Sequence, residues 1–210
     1  MYFYIVTNKQ CNMKEINEEQ KTKNLSVFVR KLEQLGIDSK KLLSEIEDKI
    51  LNASVTTSLD SGLAFDGSLL HFLVRVITPI ALKINDSLDE KVRVDKDSLI
   101  KVCLLHQISK TYRVIKNENA WEAKNLGRIY KYSKTEYSLR TGTESLWFCM
   151  KNGVSFNESE CEAMIVLDKD PSDKQSYYYT STLAMIIRQA NELGYLQESL
   201  LNDKNYKLNN

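Results

Sequence analysis

Two stretches of this chain are apolar on almost every side of a helix, and they constrain the fold more than any other feature. Residues 67–84 place Leu, Val and Ile in two adjacent helical stripes, and residues 97–113 continue the same kind of pattern. A helix that is hydrophobic all round is buried. We therefore predict two central helices. Pro79 should kink or interrupt the first, because its ring removes a backbone donor, and Asp95 or Asp97 should cap the second.

Amphipathic patterns on either side of these stretches predict further helices. Residues 14–36 and 38–52 are typical of two packing helices, separated by Gly36 as a stop signal, with Asp38 or Ser39 as the cap of the second. Helical patterns resume later in the chain, at residues 143–152, 157–168 and 180–200.

The segment 112–139 breaks the helical pattern. Aromatic or β-branched residues alternate there with polar ones around Asn-Glu-Asn and Leu-Gly turn signals, which predicts a hairpin or an irregular insertion. With 2 Pro and 7 Gly in 210 residues, a sandwich or barrel of many tight turns is disfavoured. We expect a mostly α fold in three parts: an N-terminal extension and packing layer (1–44), a helical domain (45–200) and a frayed tail (201–210).

Charge and cysteine usage limit the class of partner and the compartment. The chain has 29 basic and 28 acidic side chains, so nothing in its overall charge favours a nucleic-acid or anionic-membrane partner. Its cysteines, Cys11, Cys103, Cys149 and Cys161, show no CxxC spacing, which favours a reducing compartment. The opening MYFYIV is too short for a signal sequence. We expect a cytoplasmic protein in which residues 1–12 are either a short strand or an extension from an upstream start codon.

Histidine is rare in this chain, and both copies fall in the two central stretches. His71 and His106 lie on helices that should pack together, which positions two imidazoles to meet as metal ligands or as members of a polar pocket. The alternative is ordinary: a His on a mainly apolar helix is often a core side chain hydrogen-bonded to a carbonyl. Spacing alone favours this second interpretation.

The segments around both histidines resemble those of HD-domain phosphohydrolases. LIKVCLLHQISKTY is similar to the LLHDIGK or LLHDLCK motif of that family. GSLLHFLVRV, some 35 residues earlier, is similar to the GGLLEHSLEV segment that supplies the family's first metal-binding His. YRVIKNENAWE and RTGTESLWFCMKNGVSFNESECEAM resemble the family's GHGEKSVYII…LTREEAMAI region, and STLAMIIRQANELG resembles its closing helix. The resemblance covers roughly residues 45–200 and implies an HD-like helical bundle.

At the positions that the resemblance assigns to the family's metal ligands, this chain lacks the acidic residues. It assigns the first two ligands to His71 and His106, and it places Gln107 and Asn191 where the family has Asp. Exchanging two carboxylates for amides removes two negative charges from around a divalent cation, so affinity should fall steeply. We therefore expect no cofactor. If any metal is held, the expectation is a weak site on His71, His106 and Asp168, with Zn²⁺ as the most plausible occupant.

Other residues of the same segments suit binding. The resemblance puts Thr141 in place of a His of the family's second metal site. Lys110 keeps the Lys that follows the family's His-Asp pair, and it lies one helical turn after His106, where it can face a phosphate. Arg75 and Arg188 would add positive charge. Each of these three basic residues, taken alone, is more often a solvated or snorkelling side chain.

We therefore expect a catalytically inactive HD-like domain that binds a nucleotide or phosphate ligand, binds a protein partner or self-associates. One alternative is a weakly metal-dependent phosphohydrolase acting on nucleotides. Another is a structural or assembly protein, for example one of a phage particle, since the Lys/Asn/Ile-rich composition suits a low-GC bacterium or its phage. The Tyr-rich segment RIYKYSKTEY suits base stacking or a protein interface, but its period-two alternation and the neutral overall charge favour a half-buried strand. The candidate ligand-binding residues are His71, Arg75, His106, Gln107, Lys110, Thr141, Arg188 and Asn191.

Overall fold

The fold is mostly helical, as predicted. The structure is a computed structural model that describes residues 16–58, 61–135, 137–169 and 180–202. Its helices are α1 (Glu18–Gln34), α2 (Ser39–Leu43), α3 (Glu47–Ile50), α4 (Ser68–His71), α5 (Thr78–Ser87), α6 (Lys96–Leu105), α7 (Lys110–Arg113), α8 (Ala120–Leu126), α9 (Thr141–Lys151), α10 (Glu158–Ile165) and α11 (Thr182–Asn202). A π-helical segment covers Phe72–Ile77, 3₁₀ turns cover Glu90–Val92 and Val166–Asp168, and the strands are β1 (Val114–Lys116) and β2 (Tyr130–Tyr132). The expectations for residues 1–12 and for most of the tail 201–210 fall outside the described residues.

The first central helix is continuous from Ser68 to Ser87. Pro79 lies in the first turn of α5, directly after the π-helical segment. The helix takes the wider π-helical form before the proline and continues through it, so the predicted interruption at Pro79 does not occur. Thr78 Oγ1 donates to the carbonyl oxygen of Leu73 at 2.7 Å, which satisfies one acceptor at this irregular turn. By length and composition the helix is apolar enough to cross a membrane, but most of it is buried inside the structure. Such burial is what a core helix of a globular fold shows.

The second central helix is shorter than its sequence pattern suggested. α6 begins after Asp95, whose Oδ2 accepts from the backbone N–H of Ser98 at 2.8 Å, and it ends at Leu105. Residues 106–109 form turns before α7. His106 and Gln107, within these turns, contact Asn191 of the last helix of the chain.

The N-terminal helices pack onto the same core. Asp38 caps α2, with Oδ1 accepting from the backbone N–H of Lys41 at 3.0 Å. The segment 38–52 divides into α2 and α3 rather than forming one helix. Phe28 and Leu32 of α1 are fully buried in one hydrophobic cluster with the side chains of both central helices.

The insertion contains the predicted hairpin. β1 and β2 pair in antiparallel fashion, with Val114 opposite Tyr132, and α8 lies between them in the sequence. The hairpin is tied to the loop before α4, because Tyr130 Oη donates to Asp66 Oδ1 at 2.6 Å and Lys116 Nζ lies 2.7 Å from Asp66 Oδ2. In β2 only Tyr130 is buried, and Tyr132 is exposed, so the period-two alternation of the sequence predicts the strand but not an alternating burial.

The last three helices match their sequence patterns within a few residues, and α11 packs closely on the first central helix. At Gly194 a Cβ atom would lie 2.9 Å from Ile77 Cδ1 and 3.2 Å from Phe72 Cε2. Glycine therefore permits the approach of α11 to the π-helical segment, and this approach brings the polar residues of α11 against the central helices.

Two cysteine side chains lie within the core. Cys103 on α6 and Cys149 on α9 are completely buried. Burial raises the pKa of both thiols to about 12. Both groups are therefore neutral thiols that pack as small apolar side chains.

Candidate functional site

A line of polar side chains runs along the inner face of α11. Asn191, Tyr195 and Glu198 are spaced i, i+4 and i+7, so they lie on the same side of the helix. Asn191 and Glu198 are each 2% exposed. Asn191 contacts the turn after α6, Tyr195 contacts α7, and Glu198 contacts the first central helix, and these contacts form the candidate site.

The centre of the site is a closed network of three side chains. Gln107 Nε2 donates to Asn191 Oδ1 at 2.6 Å, across 84 residues of sequence. Asn191 Nδ2 donates to the carbonyl oxygen of Ile187 at 2.8 Å and lies 3.0 Å from His106 Nε2. Gln107 and Asn191, the positions at which the resemblance places two acids, are thus in direct contact with each other and with His106.

The hydrogen bonds of His106 determine its tautomer. Nδ1 lies 3.0 Å from the carbonyl oxygen of Val102 and 3.1 Å from that of Cys103, and a carbonyl oxygen can only accept. Nδ1 therefore carries the proton, and Nε2 presents a lone pair to the amide of Asn191. Burial lowers the pKa of His106 to about 4, so the imidazole is neutral at physiological pH.

Lys110 extends the network by one helical turn. Its Nζ donates to Gln107 Oε1 at 2.7 Å and to Tyr195 Oη at 3.1 Å. Neither partner is an acid, and burial lowers the pKa of Lys110 to about 7. The amine is therefore divided between its charged and neutral forms near physiological pH, inside a group of neutral polar side chains.

His71 occupies the other end of the line. Its Nε2 lies 3.6 Å from Glu198 Oε2, and its ring faces Phe65 at a centroid distance of 6.1 Å. His106 and His71 both reach α11, but at residues seven apart, about 10 Å along the helix axis at 1.5 Å per residue. The two imidazoles thus share a helix face and have separate partners.

The structure places the other candidate residues away from this network or at its edge. Arg75 is exposed and donates from Nε to Asn24 Oδ1 on α1 at 3.0 Å. Thr141 begins α9, where its carbonyl oxygen accepts from Ser109 Oγ at 3.0 Å. Arg188 is half-buried on α11, one turn before Asn191.

Asp168 has a role that its sequence position did not indicate. Its Oδ1 accepts from the backbone N–H of Gly142 at 3.0 Å, and its Oδ2 accepts from the N–H and Oγ1 of Thr143 at 2.6 and 2.9 Å. These backbone groups open α9, whose N-cap residue, Arg140, makes no side-chain cap bond. The carboxylate therefore caps α9 from a distant part of the chain. The weak metal site expected on His71, His106 and Asp168 is not formed, because these three side chains have separate partners.

More generally, the residues that the structure describes contain no group of three or more His, Cys, Asp or Glu side chains placed to hold a metal ion. Two members of the polar line, Tyr195 and Glu198, were not among the sequence candidates. Their spacing from Asn191 on a predicted helix was the available signal, because it puts polar groups on the side of α11 that its apolar residues mark as buried.

Comparison of the chain with family models, with curated proteins and with solved structures gave no significant match.

Proposed function

We propose that this chain is a catalytically inactive HD-like domain that acts as a protein-interaction module. The observation that carries the proposal is the bond between Gln107 and Asn191. The resemblance assigns these two positions, together with His106 and His71, to one catalytic centre. Gln107, Asn191 and His106 do meet, although 84 residues separate Gln107 from Asn191, whereas His71 contacts Glu198 instead. A chance likeness of short segments gives no reason for this meeting.

The donor set around His106 does not fit a divalent cation. The lone pair of Nε2 faces the side-chain amide of Asn191, and the Gln107 oxygen accepts from Lys110. A hard cation is bound by carboxylate charge, and here amides and an amine take those places. Hydrolysis of a phosphate ester by metal-bound water therefore has no support from these residues.

A phosphate ligand fits the same network poorly, which favours a protein partner. His106, Gln107 and Asn191 are each at most 2% exposed, and their polar atoms bond to one another. A phosphate site needs donors that face a cavity, whereas these donors are already satisfied. Of the two kinds of binding that we expected from the sequence, a phosphate ligand and a protein partner, these contacts favour a protein that binds to the outer surface.

The first experiment measures metal and nucleotide binding by the purified protein. We expect less than one tenth of a metal ion per chain by elemental analysis. We also expect no change in Tm with Zn²⁺, Mn²⁺ or a panel of nucleoside mono-, di- and triphosphates. One metal ion per chain, or phosphate release from a nucleotide that His106→Ala abolishes, would refute the proposal.

A second experiment tests the HD-like origin by restoring the acids. In Gln107→Asp/Asn191→Asp, two carboxylates beside His106 should bind Mn²⁺, and ligand at 100 times its Kd stabilises a fold by about 2.7 kcal/mol. The matched control, Gln189→Asp/Gln197→Asp, adds the same charge on the exposed side of α11. If Mn²⁺ raises the Tm of Gln107→Asp/Asn191→Asp no more than that of the control, the HD-like assignment of this centre is wrong.

A further inference from the structure

The hairpin insertion presents a helix that contributes nothing to the core. No residue of α8 is buried, yet both ends are fixed. Asn119 Oδ1 accepts from the backbone N–H of Trp121 at 3.1 Å and of Glu122 at 3.2 Å, and Gly127 ends the helix with φ of +64°. Trp121 is 63% exposed and Leu126 50% exposed. An isolated helix of this length has marginal stability in water. The caps at its two ends therefore stabilise a helix whose apolar side chains are exposed to solvent.

Positive charge surrounds these apolar side chains. Residues 114–134, which we call the hairpin arm, contain five basic and two acidic residues, whereas the whole chain has a net charge of +1, so the remainder is net acidic. Lys124, Arg128, Lys131 and Lys134 are exposed and form no ion pair with any residue that the structure describes. Exposed Trp and Tyr beside Arg are typical of binding surfaces. The hairpin arm therefore suits an acidic partner surface with an apolar centre.

A surface with these properties lies elsewhere on the same molecule, at the start of α6. A groove of about 540 Å³ is lined by the apolar side chains of Val94 and Leu183 and by the acids Asp95 and Glu158. Asp97 lines an adjoining hollow. All three acids are exposed, and none forms an ion pair with another described residue. We call this surface the acidic groove.

The two surfaces do not meet within one chain. The acidic groove lies at the start of α6, and no residue of the hairpin arm lines it or the adjoining hollow. Contact between them therefore requires two copies. Because the two surfaces differ, the contact is heterologous, and the resulting pair retains one free arm and one free groove for further copies.

We propose that the hairpin arm of one copy docks in the acidic groove of a second copy, so that the chain assembles head to tail. This inference rests on the proposed interaction function and names its partner. Lys124 and Arg128 lie against Asp97 and Glu158 in this contact, and Trp121 lies against the apolar wall of the groove. The charges steer association, and the buried apolar area provides most of its free energy.

The test uses the full chain and sedimentation velocity. We expect monomers at 1 µM and growing oligomers up to 200 µM in 50 mM NaCl. The oligomers should dissociate at 500 mM NaCl, because salt screens exposed charges. Monomers throughout this range in 50 mM NaCl would overturn the proposal.

Charge-reversal variants locate the contact. The arm variant, Lys124→Glu/Arg128→Glu, and the groove variant, Asp97→Lys/Glu158→Lys, should each be monomeric at 200 µM. An equimolar mixture should assemble again, because the first variant still has its groove, the second still has its arm, and the reversed arm and the reversed groove also carry opposite charges. Oligomers that persist in both variants, or a mixture that stays monomeric, would overturn the proposal.

Two controls separate this result from misfolding and from other partners. Lys49→Glu/Lys83→Glu makes the same charge change as the arm variant on exposed parts of α3 and α5, and it should assemble like the parent chain. Circular dichroism and Tm establish that each variant is folded. If the monomeric parent chain instead binds single-stranded oligo-dT, and the arm variant loses that binding, the arm is a nucleic-acid surface and the proposal is wrong.

The outcomes also distinguish the two proposals. Oligomers that retain metal and hydrolyse nucleotides would refute the inactive-domain function and leave the assembly standing. A metal-free monomer with no nucleotide binding would refute only the assembly.

Discussion

Lys110 gives the sharpest prediction, because its amine is buried without an acid. The lowering of its pKa from 10.5 to about 7 corresponds to about 5 kcal/mol at 1.36 kcal/mol per pKa unit. Below pH 7 the lysine is charged in the folded and unfolded protein alike, and burial of the charged amine lowers the free energy of unfolding by this full amount. As pH rises from about 7 to 10.5 the folded protein loses the proton first, so the free energy of unfolding increases.

We expect Lys110→Met to make the protein more stable at low pH and less stable at high pH. Methionine avoids the charge cost of about 5 kcal/mol. It also removes hydrogen bonds to Gln107 and Tyr195 and leaves a buried oxygen unpaired, which together cost about 3 kcal/mol. The variant should therefore be more stable by about 2 kcal/mol at pH 6. The order should reverse near pH 8.5, since the difference changes by about 1.4 kcal/mol per pH unit.

Urea denaturation of both proteins between pH 6 and pH 10 measures this difference. Lys83→Met on the exposed side of α5 is the control, and its difference from the parent chain should not vary with pH. A Lys110→Met variant whose difference from the parent chain is the same at pH 6 and pH 9 would show that the amine is not held in a low-dielectric site.

Three further substitutions test other parts of the structure. Asp168→Ala removes the acceptor that caps α9, and the free energy of unfolding in urea should fall by about 1 to 2 kcal/mol. Gly142→Ala puts a Cβ atom 2.4 Å from a carbonyl oxygen of α10, so calorimetry should show a lower Tm and a loss of about 2 kcal/mol. Burial acts to raise the pKa of Asp66, but hydrogen bonds from Lys116 and Tyr130 hold it below 3.8. The stability that Asp66 provides is present above pH 3.8 and is lost as pH falls through its folded pKa, so Asp66→Asn should reduce the acid sensitivity of the fold in urea titrations.

Each of these three predictions has a result that contradicts it. Asp97→Ala removes an exposed acid from the first turn of α6, and an equal loss in this control would show that Asp168 acts only through its charge. A Gly142→Ala protein with an unchanged Tm would mean that α9 and α10 do not approach as closely as described. Tyr130→Phe removes one donor to Asp66, and it should reduce the acid sensitivity by less than Asp66→Asn does.

Much of the fold was predictable from local sequence signals. The two apolar stretches became the central helices, and Asp38 and Asp95 became caps, because burial of an apolar face and satisfaction of the first helical N–H groups depend on neighbouring residues. The π-helical segment before Pro79 was not predicted. Its hydrogen-bond pattern depends on how the helix packs against α11, and a periodicity argument does not contain that information.

The candidate site was predictable only in part. The sequence singled out His106, Gln107, Lys110 and Asn191, and the structure brings these four side chains together. The role of Asp168 could not be predicted from its local sequence. An acid at that position can hold a cation or cap a helix, and the choice depends on the tertiary packing that puts it beside α9.

The burial of Cys103 and Cys149 supplies native reporters of local opening. A thiol reacts with an alkylating reagent only as an exposed thiolate, so each of these positions is protected until its helix separates from the core. In a chain with Cys11 and Cys161 replaced by serine, the labelling rates of the two remaining sites would report separately on α6, behind the polar line, and on α9, which Asp168 caps. Pulsed alkylation followed by mass spectrometry then ranks these two helices by how often each leaves the folded protein.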